Sequence, residues 1–149
     1  MPSTDPLRAI LAQCRTIAVV GLSPKPHRDS YRVALYLQQQ GYRIVPVNPV
    51  AAREGEQILG EPCYASLSDA AQALAAQQLR IDMVDVFRNS ADVPPIAQEA
   101  IAIGAQCLWL QRGICHEEAA THARAAGLQV VQDRCTLVEH QRLHATGQL

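Results

Sequence analysis

Residues 16–41 read TIAVVGLSPKPHRDSYRVALYLQQQG. The run Ile17-Ala18-Val19-Val20 is continuously apolar, as in a strand buried on both faces of a parallel sheet. A turn rich in Gly, Ser, Pro and basic side chains follows. An amphipathic helix comes next, with Val33, Ala34 and Leu37 as its inward stripe and Asp29 or Ser30 as its cap. It runs to about Gln40, and Gly41 suits the position behind it. This order sets a helix N-terminus at the end of a strand, where free N–H groups and the helix dipole favour an anion. The usual dinucleotide loop after such a strand is G-x-G-x-x-G. Here Gly21 stands alone, with Ser23 and Pro26 in the places of the later glycines.

Working outward, strands and helices alternate. Residues 5–14 read as a short helix opened by Asp5 and Pro6. Arg43–Val47 is a second strand, ending at Asn48-Pro49. Residues 50–61 are polar and glycine-punctuated, the pattern of a surface loop, and Cys63-Tyr64 is a short third strand. Ser66 to Asp69 starts a helix running to about Gln78. Ile81–Phe87 is the fourth strand. Asp92 then caps a helix with Pro94 in its first turn, which Gly104 closes. Cys107–Leu110 is the fifth strand, Glu117–Ala126 a helix closed by Gly127, and Leu128–Val131 one more strand. The tail from Arg134 reads as a final helix through Leu143. Short junctions between alternating elements favour right-handed crossovers onto a parallel sheet. The expected class is α/β: a doubly wound, Rossmann-like parallel sheet in a single three-layer domain spanning residues 1–149, with a core of about 16–140. The expected strand order is 3-2-1-4-5, with a small extra strand.

Composition narrows the function. At 149 residues with a net charge of −1 and no extended basic run, the chain gives no reason to expect nucleic acid. No apolar stretch is long enough to span a bilayer, so no membrane role is expected. The first residues lack the pattern of a signal peptide. The five cysteines include no C-x-x-C pair, which suggests free thiols in a reducing cytoplasm.

Ligands of an open parallel sheet bind beyond the carboxyl ends of the strands, where the order reverses. Segments 21–31, 47–49, 85–90 and 111–116 fall there. In the first, Gly21 permits a sharp turn, Ser23 and Ser30 offer hydroxyls, and Lys25, His27 and Arg28 supply positive charge. Pro24 and Pro26 stiffen the loop. Asn48 ends the second strand where an NAD site wants a carboxylate for the ribose hydroxyls; a neutral amide tolerates phosphate instead. Asp85 is either a strand-end acceptor or a group facing the crevice, and Phe87 packs on an adenine or on a helix. Cys115-His116 opens a helix near the crevice, but no third group orients a catalytic pair. His140 and His144 lie at helical i, i+4 spacing, without a second pair to complete a metal site. No catalytic or metal-binding residue is assigned.

Four ordered motifs carry a resemblance: TIAVVGLSPKPHRDSYRVALYLQQQGYRIVPVNP, DMVDVFR, AIGAQCLWLQRGI and VVQDRCTLVEH. Together they resemble the small stand-alone CoA-binding domain proteins, which are similar to the N-terminal CoA-binding domain of the succinyl-CoA synthetase alpha subunit. The resemblance runs from about Thr16 to His140. It implies a Rossmann-like fold with coenzyme A, free or acylated, at the strand carboxyl ends. By position it assigns Gly21, Ser23, Pro24, Lys25, Arg28 and Ser30 to the CoA phosphates, and Val47, Asn48 and Pro49 to the nucleotide end. Phe87 and Arg88 form a further wall, and Gln111, Gly113 and Ile114 approach the pantetheine arm. The synthetase's phosphorylated histidine lies in a second domain without counterpart here, so ligase activity is not implied. The expectation is a cytoplasmic CoA-binding protein without catalysis of its own, its protein partner unknown. The alternatives are a nucleotide-dependent oxidoreductase, a thiol-dependent acyl-CoA enzyme using Cys115, or a CoA-sensing regulatory subunit.

Overall fold

The computed structural model describes residues 5–149. Along them run α1 (Pro6–Gln13), β1 (Thr16–Val20), α2 (Asp29–Gln39), β2 (Arg43–Val47), α3 (Pro49–Arg53), β3 (Gln57–Ile58) and β4 (Glu61–Pro62). There follow α4 (Leu67–Ala75), β5 (Met83–Val86), a 3-10 turn at Ser90–Asp92, α5 (Val93–Ala102), β6 (Cys107–Leu110), α6 (Glu117–Ala125), β7 (Gln129–Val131) and α7 (Thr136–Ala145). Five strands form one parallel sheet in the order β2-β1-β5-β6-β7. The chain leaves β1 for β2 on one side and later returns to β5 on the other. The switch point therefore lies between the carboxyl ends of β1 and β5.

Side chains alternate between the two faces of each strand. Ala18, Val20, Val84, Val86, Leu108 and Leu110 pack with Leu67 and Leu74 of α4, Ile96 and Ala100 of α5, and Ala119 and Ala123 of α6. Ile17, Val19, Met83 and Trp109 pack on the other face with Leu11 of α1, Val33 and Leu37 of α2, and Leu143 of α7. Strands β1, β5 and β6 are buried over their whole length, which is why their sequences are nearly unbroken apolar runs. The one charged residue among them is Asp85.

The expected class and layering hold, with local differences. The stretch expected as a loop over 50–61 contains α3 and the β3–β4 hairpin. Asn48 makes α3 possible by accepting hydrogen bonds from the Val50 and Ala51 amides at 3.0 and 3.1 Å. The expected third strand at Cys63-Tyr64 is a single bridge from Tyr64 to Val47 at the outer edge of β2. The extra strand is β7, a full edge member beside β6. Pro46 sits within β2, where it accepts from the Tyr64 amide at 3.0 Å. Its missing N–H falls on the outer side, so no bond to β1 is lost. The tail helix extends to Ala145. No helix among the described residues is long and apolar enough to cross a membrane.

Candidate functional site

Gly21 lies in the switch point itself. Its amide donates to the Val47 carbonyl at 2.9 Å, while the Phe87 amide donates to the Val20 carbonyl at 2.8 Å. Its φ is +88°, and a Cβ there would stand 2.5 Å from the Phe87 carbonyl oxygen. Glycine is thus required by the close approach of the β1 and β5 ends, before any ligand is considered. Beyond it the loop is tied to the helix it precedes. Ser30, buried in the first turn of α2, accepts from the Ser23 amide at 3.0 Å. The Ser23 hydroxyl accepts from the Lys25 amide at 3.1 Å, and the Arg28 amide donates to the Lys25 carbonyl at 3.0 Å. Neither Asp29 nor Ser30 caps α2: Arg28 occupies the cap position without a side-chain bond to the helix. The first-turn donors of α2 thus have no side-chain cap at the mouth of a cleft lined by Gly21, Ser23, Lys25, His27, Arg28 and Phe87.

Asn48 fixes the other flank. Besides capping α3, it donates through Nδ2 to the Leu22 carbonyl at 2.9 Å. Its amide is spent on structure: it welds the first loop to the end of β2. Val47 and Pro49 border a shallow groove with Ser66, Arg88, Asp92 and Ile96.

The central crevice, about 790 Å³, joins the first cleft through Phe87 and the groove through Arg88. Arg32, Arg88 and Arg112 give it a basic side. Val33, Phe87, Ile114 and Leu137 give it an apolar one. Two of these guanidiniums are engaged at the surface, Arg32 with Asp29 and Arg88 with Asp92. Lys25, Arg28 and Arg112 enter no ion pair among the described residues. The loop after β6 is held from outside: the Gly113 amide donates to Asp133 at 2.6 Å, and the Cys115 amide to the Ser90 hydroxyl at 3.1 Å.

Behind Gln111, which lines the crevice but is 4% exposed, lies Asp85, wholly buried. Gln111 Nε2 donates to Asp85 Oδ1 at 2.6 Å and to Thr136 Oγ1 at 2.8 Å, and Thr136 Oγ1 donates to Asp85 Oδ2 at 3.2 Å. Burial pushes the Asp85 carboxyl up to about 7, and the two donated bonds only partly oppose it. Of its two sequence readings, Asp85 is the buried acceptor.

The structure thus gathers Gly21, Ser23, Lys25, Arg28, Ser30, Phe87, Arg88, Gln111, Gly113 and Ile114 around adjoining hollows. Pro24, in the same loop, lines none of them. Cys115 is exposed and does not line the crevice; the half-buried Cys135 at the cap of α7 does. Arg32, Cys135, Thr136 and Leu137 escape sequence reasoning. Arg32 falls just past the loop, and the other three enter only because α7 folds back over the sheet. His140 is committed to Tyr36, whose hydroxyl lies 2.7 Å from its Nδ1, and stacks on His144.

A model of the CoA binding domain matches residues 15–141. The chain belongs to the CoA-binding domain family. The uncharacterized protein YneT of Bacillus subtilis is 36% identical over 139 residues, which are 93% of this chain and 95% of that one. The structure of cell-free ID.343 from Thermus thermophilus is 41% identical, with a TM-score of 0.80 over 92% of this chain and 96% of that one. A hypothetical protein from Pyrococcus horikoshii OT3 is 35% identical, with a TM-score of 0.80 over 97% of this chain and 99% of its own. The two solved structures share the fold of this chain over nearly the whole of its length.

Proposed function

We propose that this protein binds coenzyme A or an acyl-CoA in the switch-point crevice, without catalysing a reaction on it. The observation that carries the reading is the set of cations that enter no ion pair among the described residues, Lys25, Arg28 and Arg112, near the amides at the start of α2, which no side chain caps. CoA brings a pyrophosphate and a ribose phosphate to such a surface and an apolar-tolerant arm to Phe87, Ile114 and Leu137. The end of β2 adds an argument against NAD, because Asn48 offers no carboxylate to the ribose and its amide is already bonded to Leu22. No residue of the crevice is assigned a catalytic role, and binding is the function we propose.

Calorimetry or thermal shift with CoA, dephospho-CoA and NAD tests it. A ligand at about 100 times its dissociation constant stabilises the fold by about 2.7 kcal/mol. CoA should reach this at the lowest concentration of the three; equal, negligible shifts for all three refute the reading. Lys25→Ala and Arg28→Ala should each weaken CoA about tenfold, the value of one charge-assisted contact, with unfolding midpoints unchanged.

A further inference from the structure

Asp85 is a buried ionisable group that ligand contact does not explain, because Gln111 and Thr136 stand on it. The hydrogens of its ring are limited in number. Gln111 Nε2 carries two and the Thr136 hydroxyl one, and the ring Asp85–Gln111–Thr136 has three contacts to fill. With the carboxylate ionised every contact holds one hydrogen and every donor is used. A proton on Asp85 is a fourth hydrogen in a ring of three contacts. Either it points at Thr136 Oγ1 and the Thr136 hydroxyl loses its acceptor in a buried site, or Gln111 turns its amide over to accept it and the single Thr136 hydrogen is left to fill two contacts.

Both partners of Asp85 belong to the crevice. Gln111 lines it, and Thr136 is the first residue of α7, flanked by Cys135 and Leu137, which line it too. We propose that Asp85 is a proton-linked positioning residue of this crevice: its ionised carboxylate holds Gln111 and the first turn of α7 in place, and proton uptake loosens that wall and weakens the ligand. The inference rests on the CoA reading for the identity of the ligand, and on the hydrogen-bond ring alone for the movement of the wall.

The surroundings bring no competing charge to the ring. Across the sheet Asp85 faces Val19 of β1 and Trp109 of β6. On the same side, β6 brings the Cys107 thiol, which burial keeps neutral, and α1 ends at the equally buried Cys14. From α7, Glu139 is bound to Arg134 and Arg142, and His140 to Tyr36 of α2. From the crevice, Arg32, Arg88, Arg112 and His27 of the first loop make no hydrogen bond to Asp85.

The molecule carries its own reporter. Trp109, the single tryptophan, is the register partner of Asp85 and donates through Nε1 to the Arg134 carbonyl at 2.8 Å, two residues before Thr136. The test follows Trp109 emission of the ligand-free full-length protein from about pH 6 to about pH 8.5, and calorimetric affinity over the same range. Dephospho-CoA is the probe, because it lacks a phosphomonoester that titrates near pH 6. The wild type should show an emission step near neutrality, and about tenfold tighter binding above it than below, the equivalent of one hydrogen bond. Asp85→Asn, a fixed mimic of the protonated acid, should lose the step and bind at the weak limit throughout; any pH dependence from other groups persists in both proteins and cancels. Thr136→Val removes a donor to the carboxylate and should move the step to higher pH. An emission step that is absent in the wild type, or unchanged in Asp85→Asn, overturns the proposal, as does identical pH dependence of binding in the two proteins. If no dephospho-CoA or CoA binds at any pH, the CoA reading fails, and the emission step decides the movement of the wall by itself.

Discussion

Replacing Gly21 with alanine isolates the contact on which the switch point is built. At φ +88° an L-residue costs about 1–2 kcal/mol more than glycine. The new methyl would also stand 2.5 Å from the Phe87 carbonyl oxygen and 3.0 Å from Arg88 Cδ. Arg88 can swing aside at little cost. The carbonyl cannot, because the Phe87 amide is bonded to Val20 in the β1–β5 ladder at 2.8 Å. Opening that ladder adds about 1–3 kcal/mol, the range for overpacking a tight site. The expected loss is about 3 kcal/mol, or roughly 6–12 °C in Tm for a chain of this size. Gly113→Ala is the control: its φ is +84°, yet nothing lies within 4 Å of the added carbon, so only the backbone cost of about 1–2 kcal/mol applies. Urea denaturation of the three proteins, followed by Trp109 fluorescence, measures both losses. Equal losses for Gly21→Ala and Gly113→Ala would refute the claim that backbone approach between β1 and β5 dictates this glycine.

Asp85 sets a pH dependence of stability whose sign is unusual for a carboxylate. Its folded value is raised from 3.8 to about 7, so the native state keeps a proton that the unfolded chain releases, and stability should fall by about 4 kcal/mol as pH rises from about 4 to about 7. Chemical denaturation should find this slope in the wild type and a flatter one in Asp85→Asn, which should be at least as stable above pH 7; parallel profiles would refute it. Asn48→Ala removes the α3 cap and the bond to Leu22, and should cost about 1–2 kcal/mol by urea titration, whereas a purely ligand-facing side chain would cost nothing. Burial pushes the Cys14 thiol up to about 12 and Cys107 well above its ordinary value, so alkylation with peptide mapping should label Cys115 first and spare these two in the folded protein. Saturating CoA should protect Cys135 but not Cys115; labelling of Cys135 that ignores CoA would count against a ligand in the crevice.

The parallel core was legible because its strands are buried on both faces and its helices carry clean apolar stripes. Ile17–Val20 and Cys107–Leu110 can hardly be anything else. The stretch after Asn48 was not, since α3 exists through one side-chain cap and β3–β4 through a two-residue pairing, both too short to leave a periodicity. The first loop shows its charge and hydroxyls in the sequence, but its serines bond the loop's own backbone, a division of labour that sequence does not encode. The far wall of the crevice was hidden for a different reason. Cys135 and Leu137 follow the last strand by only a few residues, and nothing local says that α7 returns over β5 and β6. Thr136 gives that return its anchor. Asp85 could be noticed as a charge in an apolar strand, but its partners, at separations of 26 and 51 residues, could not.

Pro46 has a consequence beyond its own strand. The outer edge of a parallel sheet is a template on which a stray extended chain can dock. With valine in its place, β2 would read Arg-Ile-Val-Val-Val, a short β-branched run of the kind that seeds stacked intermolecular sheets. The proline deletes one amide from that template, and Tyr64 occupies the bonding positions on either side of Val47. This margin of the molecule therefore offers an incoming strand one donor fewer than a valine would leave, and part of the rest is already taken by Tyr64.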